Sequence, residues 1–464
     1  MQKWAVEQLK CQRKKEIGTS TVTLNKHLKT NKMKNIFIYS LLSFLWIGNL
    51  VAQQTPAVQQ TQAYSIEGAT AHLGTGEVIE NSLLIFNNGK ITFVGKATAK
   101  IARQGTRIDA TGKHVYPGFI AANASLGLVE IDAVRATDDE DEVGSMLPHI
   151  RSLIAYNAES KVVESMRPNG VLMGQITPRG GTISGTSSVV QFDAWNWEDA
   201  AIKKDDAIHI NWPGSLTRGR WWMGEDPALK LDPKYGENVQ KIVTYFADAK
   251  RYLSSNQKVE NIPFSATKGL FNGSQKLFIH ANGEKEITDA VTKMKVIGIN
   301  NLVLVHGKGA ENVANLLLKN NIPVVIERSH RIPEGEDDDF DLSYRKAKIL
   351  MDKGITVGIG MEGQMERMNT RNLPFYAGTY AAYGVGKEDA LKMITSNNAK
   401  MLGIDSFVGS LEVGKDATLF ISEGDALEMK GNILTDAFIQ GRKISLETHQ
   451  TKLWKRYTNK YKTN

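Results

Sequence analysis

Two histidines each close an apolar run. His280 ends Lys276-Leu277-Phe278-Ile279-His280, and His306 ends Leu302-Val303-Leu304-Val305-His306. Neutral imidazole binds transition metals and exchanges protons near neutral pH, so such a pair is a candidate metal or acid–base site. The plainer reading is two rings satisfied by core or loop hydrogen bonds. Glu362 follows Ile355-Thr356-Val357-Gly358-Ile359-Gly360-Met361. A carboxylate there can serve as a general base, or it can pair with Arg367 or Arg371. A fourth group lies in Pro178-Arg179-Gly180-Gly181-Thr182-Ile183-Ser184-Gly185. Its glycines allow close backbone approach, the Ser184 hydroxyl can bind an anion, and Arg179 adds a fork of donors. Arg179, Gly180, Gly181 and Ser184 therefore read as a substrate-binding loop or as a long structural turn. No Gly-Lys-Ser/Thr follows, so the loop is not a P-loop.

These groups need elements that bring them together. Apolar runs at 171–176, 188–192, 207–210, 277–280, 302–306, 324–326 and 356–359 read as strands, and 285–296, 310–319 and 387–400 have helical spacing. Phe119 to Ala122, after the Pro117-Gly118 break, reads as a strand buried on both faces. The alternation predicts an α/β fold, a (β/α)8 TIM-type barrel, whose reactive groups sit at the C-terminal strand ends. Ahead of it, 64–70, 82–86 and 91–94 form a small β unit, with a hairpin turn at Asn87-Asn88-Gly89-Lys90.

The segment Pro117-Gly118-Phe119-Ile120-Ala121-Ala122-Asn123-Ala124-Ser125 resembles the opening of the barrel in the amidohydrolase superfamily. Val408-Gly409-Ser410-Leu411-Glu412-Val413-Gly414-Lys415-Asp416-Ala417-Thr418 resembles that family's Gly-x-Leu-x-x-Gly-Lys-x-Ala-Asp signature, with Thr418 at the usual Asp. The chain looks most like the exported bacterial, imidazolonepropionase-like subgroup, over roughly residues 64–445. The resemblance implies a barrel at 118–404 and a discontinuous β-sandwich built from 64–117 plus 405–445. It implies hydrolysis of C–N bonds in an amide, cyclic amide or small peptide-like substrate. It makes His280 and His306 the metal ligands of the fifth and sixth strands. Glu362 stands for the eighth-strand Asp, which binds metal and takes the proton from the attacking water.

The chain departs from the family at its centre. The first-strand His-x-His is replaced by Asn123-x-Ser125, and amide and hydroxyl oxygens are weak zinc ligands. His280, His306 and Glu362 remain, three donors for one zinc or other divalent metal. No strand-end lysine offers itself as a carboxylated bridge between two metals, and Gln191 lies nearest to where such a group would sit. Two functions follow. One is a single-metal hydrolase of a small amide-like molecule, with Glu362 as base and Arg179 orienting the substrate. The other is an inactive relative that binds a ligand or pairs with an active amidohydrolase. The expected assembly is a homo-oligomer or such a hetero-oligomer.

Met33-Lys34-Asn35 precedes an apolar run at 36–51 that ends at Ala52, the pattern of a cleaved signal peptide and hence of an exported, periplasmic protein. An anchor by the same segment is the alternative, disfavoured by its shortness and by Ser40, Ser43, Gly48 and Asn49. Met1 and Met33 are both candidate starts. Residues 1–52 carry nine of the 57 basic residues and two of the 50 acidic ones, so the remainder has 48 of each and no nucleic-acid footprint. The single cysteine, Cys11, also falls in this segment, which leaves no disulfide. Residues 53–63 read as a linker and 446–464 as a basic tail. Asp138-Asp139-Glu140-Asp141-Glu142 and Glu334-Gly335-Glu336-Asp337-Asp338-Asp339 read as solvated loops. Trp195, Trp197, Trp221 and Trp222 read as core, pocket wall or interface.

Overall fold

The computed structural model describes residues 55–464 apart from 257–258, 334–338, 363–364 and 463–464. The N-terminal segment, with Cys11, Met33 and the run at 36–51, lies outside the described residues. Among those described, no helix is long and apolar enough to cross a membrane.

The chain begins with β1 (Tyr64–Glu67), β2 (Thr70–His72), β3 (Val78–Ile79), β4 (Ser82–Asn87), β5 (Lys90–Lys96), β6 (Thr106–Asp109) and β7 (His114–Pro117). Gly68, at φ 90°, breaks the expected strand 64–70 so that β1 and β2 enter different sheets. There follow β8 (Phe119–Ala124), β9 (Val171–Ile176), β10 (Ile183–Gln191), β11 (Ala201–Asn211), the hairpin β12 (Leu216–Arg218) and β13 (Leu229–Leu231), then β14 (Lys276–Ala281), β15 (Leu302–His306), β16 (Val324–Ile326) and β17 (Val357–Ile359). The last strands are β18 (Leu419–Ser422), β19 (Leu434–Ile439) and β20 (Arg442–Lys443). One sheet has the order β5-β4-β1-β6; a second has β20-β19-β18-β7-β2-β3, so strands from both ends of the chain share it.

The eight-stranded sheet, β8-β9-β10-β11-β14-β15-β16-β17, curls into a barrel. Its seam is a parallel bridge between Ala122 and Gly360, and Met361 N donates to Ala122 O at 3.0 Å. Asn398 stitches the same seam, its Nδ2 donating to Ile120 O at 2.8 Å and Ile359 O at 3.1 Å. One feature departs from strict strand–helix alternation. β10 runs antiparallel to both neighbours, β9 and β11. Gly180 and Gly181, at φ 74° and 61°, turn the chain back directly after β9. The expected strand 188–192 is only the apolar end of β10, whose first half is Ile183-Ser184-Gly185-Thr186-Ser187.

Period-two alternation splits the barrel's apolar residues into two layers. Ile120, Ala122, Met173, Val189, Ala207 and Phe278 fill the lumen, floored by Met401 and Leu402. Ala121, Leu172, Ile208, Ile279 and Leu304 face outward against helices, among them Glu284–Ile297, which buries Ile287, Ala290, Val291 and Met294. That helix matches the expected 285–296, and Gly298 ends it at φ 102°. The expected helix 310–319 shortens to Ala314–Lys319, and 387–400 divides into Lys387–Met393 and Ser396–Leu402. The tail is a helix, His449–Lys462, with no buried residue. The segment at 53–63 is tied down where described, since Arg442 Nη1 donates to Ala57 O and Gly89 N donates to Gln60 Oε1. Trp195, Trp221 and Trp222 are exposed, which rules out the core reading for them.

Candidate metal centre

The C-terminal ends of β14, β15 and β17 bring His280, His306 and Glu362 together. Nδ1 of His280 and Nε2 of His306 each lie 3.1 Å from Oε2 of Glu362, and 3.3 Å from one another. Among the described residues this trio is the cluster whose ligand atoms converge tightly enough to hold a metal. Zinc bonds of 2.0–2.1 Å in tetrahedral geometry put neighbouring ligand atoms about 3.3 Å apart, so the edges of this triangle fit such an ion.

His306 reaches this point by a backbone irregularity. Val303 and Val305 face the lumen, and simple alternation would turn the next side chain outward. At φ 70°, His306 breaks the alternation and swings its ring inward. Asn123, one residue past the lumen-facing Ala122, does the same at φ 50°. Positive φ in residues with a Cβ is sparse and gathers at functional sites.

The two positions that replace the His-x-His pair have different fates. Asn123 Nδ2 donates to Glu362 Oε2 at 2.6 Å. Ser125 turns away, accepting from Arg367 Nη1 at 3.3 Å. Arg367 in turn pairs with Glu140 and Asp132 rather than with Glu362. Glu140 thereby leaves the solvated reading of its acidic run. The partner of Glu362 is Arg179, whose Nη1 lies 3.5 Å from Oε2 and donates to Asn123 Oδ1 at 2.8 Å, while Nη2 donates to Asn123 O at 2.8 Å. Burial works against the Glu362 charge, but the guanidinium and the two rings outweigh it and hold the carboxyl well below its usual range.

The Gly/Ser loop is held by hydrogen bonds within the protein. Gly180 O, Gly181 O and the buried Ser184 Oγ all accept from Asn211 Nδ2. Arg179 thus points at the barrel centre, while Ser184 is spent on β11. Gln191 is misplaced in the sequence reading. Because β10 is reversed, its end lies at the far rim, where Gln191 Oε1 accepts from Asp193 N and Arg442 Nη2.

Two groups escaped the sequence reading. His209, on β11, is fully buried with Nδ1 3.1 Å from His280 Nε2. Counting by twos from Ala207 places it in the lumen, which was the available signal. Burial pushes both imidazoles below the usual histidine pKa, His209 furthest. Glu327, just past β16, brings Oε1 within 2.7 Å of His306 Nδ1, although the approach is too misaligned for a hydrogen bond. Beside His306 opens a cavity of about 180 Å³, walled by Ile326, Arg328, Arg331, Phe340 and Tyr380.

Residues 272–448 match the amidohydrolase family model. The matched span carries His280, His306 and Glu362, and leaves out Asn123, Arg179 and His209. Two curated relatives are similar over about three quarters of the chain. The 5'-deoxyadenosine deaminase of Methanobrevibacter smithii is 24% identical over 376 residues, 76% of this chain and 81% of the relative. The 5-methylthioadenosine/S-adenosylhomocysteine deaminase of Thermoanaerobacter pseudethanolicus is 24% identical over 375 residues, 75% of this chain and 82% of the relative. An amidohydrolase from Thermotoga maritima shares the fold, with a TM-score of 0.71 at 23% identity, over 82% of this chain and 99% of that one. The family match spans less than half of the chain, and the structural likeness shows the fold.

Proposed function

We propose that this chain is a metal-dependent hydrolase of C–N bonds with one metal, held by His280 Nδ1, His306 Nε2 and Glu362. The triangle of donor atoms with edges of 3.1, 3.1 and 3.3 Å carries this reading. A divalent metal there supplies a Lewis acid that makes water a nucleophile near neutral pH. The protein's own groups divide the remaining work. Arg179 and Asn123 keep Glu362 ionised and fix its orientation, at some cost to its basicity, and Glu362 is the carboxylate placed to take a proton from water and return it to a leaving nitrogen. The guanidinium fills the space beside Glu362 that the missing histidines leave, which favours one metal over two. Substrate reaches the centre through the cavity beside His306, whose apolar walls and paired charges, Arg331 with Glu327 and Arg328 with Glu366, suit a small neutral amide with an apolar flank. The deaminase names of the two curated relatives support C–N chemistry of this class.

A second reading, ligand binding without turnover, draws on one observation. Oε2 of Glu362 already receives Asn123 Nδ2 and faces both rings and Arg179. Turnover separates the two. Zinc-loaded protein is screened against cyclic amides, acyl amides and aminopurines by ammonia or amine release, beside Glu362→Gln. The hydrolase reading expects release that falls by about 10²–10⁴-fold in the variant. Release unchanged in Glu362→Gln, or none from a zinc-loaded wild type, contradicts it.

A further inference from the structure

Behind His280 runs a line of buried polar groups with no part in the reaction outlined above. His209 Nδ1 lies 3.1 Å from His280 Nε2, and His209 Nε2 lies 3.0 Å from Ser187 Oγ. Ser187 Oγ donates to Asp206 Oδ1 at 2.8 Å. Gln175 Nε2 donates to Ser187 Oγ at 3.1 Å and to Asp206 Oδ2 at 2.9 Å. Gln175, Ser187, Asp206 and His209 are all essentially inaccessible to solvent.

We infer that Asp206, Ser187, Gln175 and His209 form a positioning relay that receives the Nε2 proton of His280 and holds its Nδ1 lone pair open for a metal. The inference rests on the metal reading above. The direction of each hydrogen bond follows from two fixed ends. The backbone N–H of Asn123 can only donate, and it donates to Gln175 Oε1 at 3.0 Å. The Gln175 amide must therefore turn its NH2 toward Ser187 and Asp206. The Asp206 carboxylate can only accept, and at 2.8 Å it takes the Ser187 proton in preference to the Ala207 carbonyl at 3.3 Å. Both Ser187 lone pairs are then filled, one by Gln175 Nε2–H and the other by His209 Nε2–H. His209, neutral and protonated at Nε2, offers a bare Nδ1, which accepts from His280 Nε2–H. His280 is left with a lone pair on Nδ1, aimed at Glu362 and His306. In this order every polar hydrogen of the line has an acceptor. The opposite order puts a proton on His280 Nδ1 and takes the Ser187 donor from Asp206.

The arrangement gives His280 what metal-bound histidines generally need, a partner for the other ring nitrogen that fixes tautomer and orientation. Here three strands share that task, with Gln175 on β9, Ser187 on β10 and Asp206 and His209 on β11. The β10–β11 register, which pairs Ser187 with Ala207, brings the small hydroxyl of Ser187 between His209 and Asp206.

The test measures zinc affinity by chelator competition in wild type, His280→Ala, Ser187→Ala and Asp206→Asn, with circular dichroism to confirm folding. Imidazole nitrogen NMR of the zinc-loaded protein reads the tautomers. The relay predicts protons on Nε2 of both His209 and His280 in zinc-loaded wild type. It predicts zinc binding weakened about 10- to 100-fold in Ser187→Ala, with a smaller loss in Asp206→Asn, which keeps an acceptor for Ser187. Zinc lost in His280→Ala but held with wild-type affinity by Ser187→Ala and Asp206→Asn overturns the relay alone. So does a proton on His209 Nδ1 in the zinc-loaded wild type. No zinc uptake by wild type, or uptake undiminished in His280→Ala, overturns the metal site and the relay together.

Discussion

Nη1 of Arg179 lies 3.5 Å from Oε2 of Glu362 and donates to Oδ1 of Asn123 at 2.8 Å. A fixed cation thus stands beside the carboxylate that the metal reading requires. Its removal should act on the metal-free and metal-bound forms in opposite directions. Arg179→Met leaves a largely buried carboxylate without its cation and should lower metal-free stability by about 2 kcal/mol, less than for a fully enclosed pair because Glu362 is partly exposed. Loss of a positive charge next to a divalent-cation site should tighten zinc binding by about tenfold or more. Denaturant titration with and without zinc reads both. A zinc affinity that falls in Arg179→Met would show that orienting Glu362 outweighs the repulsion between the guanidinium and the metal.

The same cation should block restoration of a second metal. Asn123→His with Ser125→His rebuilds the His-x-His pattern, but Ser125 faces Arg367 and the guanidinium of Arg179 occupies the space beside Glu362. The double variant should still take up about one zinc per chain, the number the three remaining donors can hold. A second ion should appear only once Arg179 is also removed. Elemental analysis of both variants decides; two ions with Arg179 in place would show that the guanidinium excludes nothing.

Asp206 gives the pH dependence a sign. Burial raises its pKa from 3.8 to about 6, with Ser187 as the largest opposing influence and Lys203, Gln175 and Lys276 also pulling it down. Between those values the folded protein holds the proton more tightly than the unfolded chain does. Stability is therefore lost as pH rises through this window, by about 3 kcal/mol in total, and is regained on acidification. Asp206→Asn should lack this component. The stability difference between variant and wild type should shift in the variant's favour by about 3 kcal/mol from about pH 3 to about pH 7. Parallel urea curves at the two pH values contradict the shift.

Asn398 should be worth more than its size suggests. It is fully buried, and its Nδ2 serves Ile120 O and Ile359 O on the two strands that meet at the barrel seam. Asn398→Ala leaves two buried carbonyls short of a donor, at about 1–3 kcal/mol each, so unfolding free energy should fall by about 3 kcal/mol. A loss under about 1 kcal/mol would mean that the Ala122–Gly360 bridge closes the barrel without help.

How far the sequence could be read depended on where the signal was local. β15 and β16 match their expected bounds because an apolar run between turn residues is complete within a few positions. β10 was half hidden because Ser184, Gly185, Thr186 and Ser187 carry no apolar pattern, and its reversed direction depends on two glycines at positive φ. His280 was visible as the end of a run. His209, two residues from the end of β11, looked like one more strand residue until its neighbour across the sheet was known. The direction of the Arg179 side chain belongs to the same class. Its partner Glu362 is 183 positions away, and no spacing rule reaches that far.

The most direct measurement is the metal content of purified wild-type protein beside His306→Ala. His306 reaches the centre only through its unusual backbone angle and supplies one of three ligands. The account predicts about one zinc or other divalent transition metal per folded wild-type chain, and a fraction of that in the variant. Metal-free wild type that stays folded and takes up no zinc on titration would contradict the central claim and leave the barrel as a polar ligand-binding pocket.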